Sequence, residues 1–267
     1  MAVNLSRRKK LYMIMPEGVI VNREWLLDND FSRHAIDNLV KSKQLELISK
    51  GVYVRSSAKI TWQSVVYSLQ SIFKTDLIPG GLTSLELHGL SHYLSLSEDK
   101  KVHLYGKNLL PKWVKDISPN VTFVRHNTNK VFGKTLDNSI MPGENKLSQP
   151  YVAEKEWYNN KGKLIVSTPE RAYLEILSDI PEKITFEHAD QIMQGLTTLS
   201  PRILQQILED CKNIKVKRLF FWFADRYNYT WLSKINREKI LLGSGNRMII
   251  KSGKLDKKYK ITVPEWI

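Results

Sequence analysis

The chain has a single cysteine, Cys211, among 267 residues. An intrachain disulfide is therefore impossible, a cysteine-rich zinc site is excluded, and a cytoplasmic location is expected. Long apolar runs are missing too. No stretch approaches the ~20 residues that a membrane-spanning helix requires, so no membrane segment is expected. The opening MAVNLSRRKKLYMIMPEG places charge before an apolar patch, but residues 11–15 are too short for a signal-peptide core. It reads as a first helix, with Arg7, Arg8, Lys9 and Lys10 on its solvated face. There is no internal repeat and no low-complexity tract.

Acidic residues are outnumbered at the two ends. Residues 1–60 carry 11 Lys/Arg against 6 Asp/Glu, residues 61–211 carry 16 against 17, and residues 212–260 carry 14 against 3. The net charge of +14 thus resides at the ends, while the middle is neutral. Concentrated positive fields attract phosphate polymers or acidic partners, with a strong dependence on salt. The length and apolar content suffice for one large or two ordinary globular cores.

The most informative stretch is 22–55, NREWLLDNDFSRHAIDNLVKSKQLELISKGVYVR. Asn22 caps a short helix over 23–28, and Asn29, Asp30 and Phe31 turn the chain into a second one. Ser32 caps that second helix, expected over 33–42. At the helical period Ala35, Ile36, Leu39 and Val40 share one side, while Arg33, His34, Asp37, Asn38, Lys41 and Ser42 share the other. One side docks on a core. The other offers cations, an amide, an imidazole and a hydroxyl, which suit phosphates and base edges. Leu45 and Leu47 alternate with Glu46, the chain turns at Ser49-Lys50-Gly51, and Val52, Tyr53 and Val54 return. That pattern predicts a wing, with Lys43, Lys50 and Arg55 placed to reach a duplex backbone. The candidate DNA-binding set is Ser32, Arg33, His34, Asn38, Lys41, Lys43, Lys50 and Arg55.

Further along, a helix is expected from Thr61 to about residue 73, a turn at Ile78-Pro79-Gly80-Gly81, and a helix over 84–94. Strands are expected around Val102 and Leu104, over 121–125 and over 163–166, with 126–160 rich in loops. Ser167-Thr168-Pro169-Glu170 is a helix start, and Arg171 can reach Glu175 one turn on. Helices follow over 187–199, 201–212 and 216–226, the last apolar nearly all round and so buried. Leu242-Gly243-Ser244-Gly245 leads into a closing hairpin expected from 247–250 and 259–263. A second basic patch comprises Arg247, Lys251, Lys254, Lys257, Lys258 and Lys260. Its readings are a solvated loop, a nucleic-acid surface or a dock for an acidic partner.

No catalytic residues, metal centre or cofactor are expected. His88 and His92 have metal-ligand spacing but no Glu follows His88 and no third ligand is near. Glu144-x-Lys146 has the spacing of half a metal-dependent nuclease motif, yet it sits in a Pro-Gly loop with only Asp137 as a nearby acidic companion. A DNA-targeted nuclease and a ligand-sensing transcription factor remain the alternatives.

The fold class expected is α+β: an N-terminal winged helix-turn-helix over 1–60 and a larger mixed α/β domain over 61–267. The winged helix, GGLTSLELHGLSHYL, STPERAYLEIL, VKRLFFWFADR and LLGSGNRMIIKSGKLDKKYKITVP, in this order and spacing, resemble the AbiEi family of bacterial antitoxins along essentially the whole chain. The resemblance implies repression of an antitoxin–toxin operon at inverted repeats of double-stranded operator DNA, and the chain is expected to be a monomer in solution or to pair on the DNA. It further implies neutralisation of a co-encoded nucleotidyltransferase-like toxin by the C-terminal domain, in phage abortive infection. The family's positive winged-helix face maps onto Arg33, His34, Asn38, Lys41 and the wing.

Overall fold

The computed structural model describes residues 2–90, 100–117, 120–133, 151–157 and 162–265, with side chains from residue 7 onward. Helix α1 (Ala2–Ile14) ends before Pro16, and Leu11 and Met15 are buried beneath it. Strand β1 (Ile20–Asn22) leads directly into α2 (Arg23–Asp28), whose first turn is closed by Asn22 Oδ1 accepting from the Trp25 N–H at 2.8 Å. Asp30, at φ +63°, reverses the chain into α3 (Arg33–Lys41), capped by Ser32 Oγ on the Ala35 N–H. Strands β2 (Leu45–Ser49) and β3 (Val52–Arg55) make the wing, and β1 adds to β3 to give the order β1-β3-β2. Gly51, at φ +75°, allows the tight reversal at the wing tip.

Both faces of β3 are covered. Tyr53 points into the winged-helix core with Leu26, Phe31, Ile36 and Leu39, while Val52 and Val54 join a second core with Trp62, Val65 and Leu69. Those residues belong to α4 (Trp62–Tyr67) and the single π turn that prolongs it over Ser68–Ile72. Thr61 and Ser64 form a reciprocal cap at its start. Gln70, buried, accepts from the Ile165 N–H and donates to the carbonyls of Ile165 and Leu77, at 3.0, 2.9 and 3.1 Å. It therefore satisfies backbone groups of two separate segments.

The expected turn at 78–81 is in part a strand. Ile78 and Pro79 form β4, and Gly80 precedes α5 (Gly81–Leu87), which starts earlier and stops sooner than the helix expected over 84–94. Proline is tolerated there because β4 lies at the sheet edge. Residues 91–99, with His92, lie outside the described residues, as do Asp137, Glu144 and Lys146. Strand β5 (Lys101–Gly106) pairs antiparallel with β4 and parallel with β6 (Thr122–Asn127). The stretch read as loop-rich contains α6 (Asn129–Phe132) and β7 (Val152–Trp157), the latter paired with β8 (Gly162–Ser167).

Four helices complete the C-terminal core: α7 (Pro169–Ser178), α8 (Phe186–Gly195), α9 (Pro201–Asp210) and α10 (Ile214–Ala224). Thr168, not Ser167, caps α7, and Ser200 caps α9. Helix α10 is buried along its length, as an all-round apolar helix must be. The closing hairpin joins β9 (Lys254–Asp256) to β10 (Ile261–Val263), so the lysine-rich segment itself supplies a strand. Of 247–250, only Arg247 makes a bridge, to Ile261.

At the centre of the C-terminal unit, Arg171 and Glu175 are both fully buried, with Arg171 Nε 2.7 Å from Glu175 Oε1. Glu175 also accepts from Ser167 Oγ at 3.0 and 3.1 Å and from the Gly81 N–H at 2.9 Å. Removing one member of such a pair strands the other charge in a dry core. Glu175→Ala should lower unfolding stability by about 3–5 kcal/mol, whereas Arg171→Met with Glu175→Leu should lose less. Urea denaturation decides, and equal losses would show that the pair is not energetically coupled.

Candidate nucleic-acid interface

Helix α3 divides as its period predicts. Ala35, Ile36 and Leu39 are buried, Arg33, His34, Asp37 and Lys41 are exposed, and Asn38 is half-exposed. Asn38 Nδ2 lies 3.1 Å from His34 Nε2, one turn apart on the outer face. The single carboxylate there, Asp37, is offset by Arg23 of α2, whose Nη2 is 3.5 Å away. Arg23 also donates to Tyr53 Oη from Nε and Nη2 at 3.2 and 3.0 Å, so one guanidinium links α2, α3 and the wing. Sequence reading missed Arg23 because both of its partners are distant along the chain.

Lys43, at φ +53°, and Lys50, at the wing tip, are exposed. Arg55 differs. It donates Nη1 to the Met15 carbonyl at 3.1 Å and lies 3.9 Å from the centre of the Tyr12 ring, so it ties the root of the wing to α1. Lys10 is likewise engaged, 2.9 Å from Asp30.

The C-terminal basic residues are not equivalent. Lys258 pairs with Asp225, which also accepts from Arg237 Nη2 and Tyr259 Oη, each at 2.5 Å. Burial would raise this carboxyl, but the three donors together hold it near 2. Lys254 reaches the Glu265 carbonyl at 3.4 Å. Arg247, Lys251, Lys257 and Lys260 are exposed. Beneath them the buried Arg218 donates to the carbonyls of Leu242, Gly243, Gly245 and Lys260 at 2.7–3.1 Å, which fixes the Gly-Ser-Gly turn on α10. Leu241, Met248 and Leu255 stand exposed around this hairpin.

One cluster had no sequence signal. His103 of β5 and His126 of β6 meet at 2.9 Å (Nδ1 to Nε2), and His126 Nδ1 lies 3.1 Å from Asp179 Oδ2 at the end of α7. His126 also stacks on Tyr105 at 4.4 Å. The parallel pairing of two distant strands creates this contact, and no spacing along the chain announces it. His88 sits apart, 3.1 Å from the Ser167 carbonyl.

The geometry is thus that of an α+β protein with a winged helix-turn-helix whose outer helix face is polar and basic. This is the architecture of a transcriptional regulator. Residues 4–96 match the sequence model of the AbiEi antitoxin N-terminal domain, a transcriptional regulator. Residues 99–264 match that of the transcriptional regulator AbiEi antitoxin of type IV toxin–antitoxin systems. The chain belongs to the AbiEi antitoxin family. Among solved structures it resembles the RV2827C protein from Mycobacterium tuberculosis, at 16% identity and a TM-score of 0.55, over 97% of this chain and 90% of that one. That likeness is one of fold alone. No curated protein matches the chain. Among the described residues, no helix is long and apolar enough to cross a membrane.

The histidine cluster carries a pH dependence. Burial first, then the neighbouring His126, hold His103 down at about 4, against an ordinary 6.5. Between these values the unfolded chain binds a proton that the folded chain refuses, so stability falls as pH drops from 6.5 towards 4. Urea midpoints should decline across that window and His103→Gln should flatten the decline. An identical slope in the variant would remove His103 as its source.

Proposed function

We propose that this chain is a non-enzymatic, cytoplasmic repressor and antitoxin. Residues 1–60 read inverted repeats in double-stranded operator DNA, with α3 in the major groove and the Lys50-Gly51 tip on the backbone. The chain is a monomer in solution or pairs on the DNA. The observation that carries this reading is the outer face of α3, where Arg33, His34, Asn38 and Lys41 are held outward while Arg23 cancels the one negative charge. Ser32, Lys43 and Lys50 flank it, and Arg55 supports the wing from behind. The family assignment supports a regulator that is also an antitoxin. Its C-terminal unit, residues 61–267, neutralises a co-encoded nucleotidyltransferase-like toxin. The exposed part of the second basic patch is the surface best suited to an acidic partner or a nucleic acid.

Fluorescence anisotropy on the chain's own upstream DNA and a scrambled duplex, at ~0.15 M salt, tests the first half. A preference of ~10³ or more for the upstream DNA is expected, and equal binding would reduce the winged helix to a nonspecific phosphate binder. Asn38→Ala should reduce that preference by about 1–3 kcal/mol, as loss of a base contact does. Lys50→Ala should weaken all duplexes alike and lower the salt slope by about one. For the second half, co-expression with the neighbouring nucleotidyltransferase should restore growth, and continued arrest would refute the antitoxin role.

A further inference from the structure

The contact between Asn38 Nδ2 and His34 Nε2 ties what the amide can offer to the state of the ring. It is a hydrogen bond only while Nε2 carries a lone pair, that is, in the neutral ring protonated at Nδ1. One amide hydrogen then goes to the ring, leaving Asn38 with its carbonyl oxygen and its second N–H. That acceptor–donor pair matches the N6 and N7 edge of adenine. When Nε2 gains a proton, two donors face each other and the contact fails. Turning the amide over restores it, with Oδ1 accepting from the ring and both N–H groups facing outward. Two donors match the O6 and N7 acceptors of guanine.

We propose that His34 is a protonation switch on base preference, setting Asn38 to read adenine when the ring is neutral and guanine when it is charged. Asn38 is the base-reading residue and His34 the positioning residue. The inference rests on the reading of α3 as the helix that faces the duplex. The charged groups on that face are Arg33 and Lys41 of α3 itself and Asp37, which is paired with Arg23 of α2.

The test has two parts, both on the full chain. Without DNA, the Asn38 side-chain amide signals in NMR should move with the titration of the His34 ring. Amide signals that ignore that titration overturn the coupling. With DNA, a randomised duplex library is selected at about pH 8 and about pH 5.5, on either side of the imidazole range. One position in each selected half-site should shift from adenine towards guanine on acidification by about tenfold, the scale of one bidentate contact. His34→Gln, which cannot titrate, should select the same base at both values. Both side chains lie on the outer face, and thermal melting checks that the variant is folded. An unchanged base in the wild type overturns the proposal. So does acid-strengthened binding to all duplexes alike, because His34 would then be a phosphate contact. If neither pH yields a preferred sequence, the operator-reading role fails and takes this inference with it, while the DNA-free titration still reports on the coupling alone.

Discussion

The C-terminal unit is arranged around one buried carboxylate. Glu175 accepts from Arg171 one turn before it on α7, from Ser167 at the end of β8, and from the Gly81 N–H at the start of α5. The attraction within a buried ion pair is largely offset by the cost of taking both charges out of water. Its structural effect lies in geometry: a carboxylate has a few acceptor directions, and each is taken by a different element. The strand end, the short helix and the long helix can satisfy it in one arrangement only. The end of α7 is thereby placed, and with it Asp179, the partner of His126.

A second constraint runs through β3. In an ordinary wing one face of the hairpin is wet, and the domain it belongs to can tumble on its linker. Here Tyr53 fills the winged-helix core while Val52 and Val54 fill the core beyond it. The outer face of α3 is therefore carried by the body of the protein, with Arg23 and Arg55 bracing α2, α3, the wing and α1 against one another. A rigidly held helix face suits readout of base edges, which demands fixed donor and acceptor positions.

The strongly basic C-terminal segment shows how formal charge and usable charge part company. Arg218 is buried under carbonyls, Lys258 and Arg237 converge on Asp225, and Lys254 leans on the Glu265 carbonyl. All six basic residues of the closing hairpin are exposed, but Lys258 is engaged by Asp225 and Lys254 by the Glu265 carbonyl, and Leu241, Met248 and Leu255 are exposed nearby in sequence.

Local signals along the chain determined a good deal of this protein. The caps at Asn22, Ser32 and Ser200, the apolar period of α3, the wing tip at Lys50-Gly51, the ion pair of Arg171 with Glu175 and the burial of α10 each depend on residues within a few positions of one another. The start of α7 was legible but the choice between Ser167 and Thr168 as its cap was not, because the Ser167 hydroxyl is engaged by Glu175 within the folded core. Only the tertiary structure decided the parallel pairing of β5 with β6, the two-sided burial of β3, the histidine cluster, and the identity of β4 as a strand. The reason is the same in each case. Helix caps, helical faces and an i,i+4 pair are satisfied by near neighbours, whereas β5 and β6, Arg218 and the stacked His126 are satisfied by partners far along the chain, and no local pattern records which partner that is.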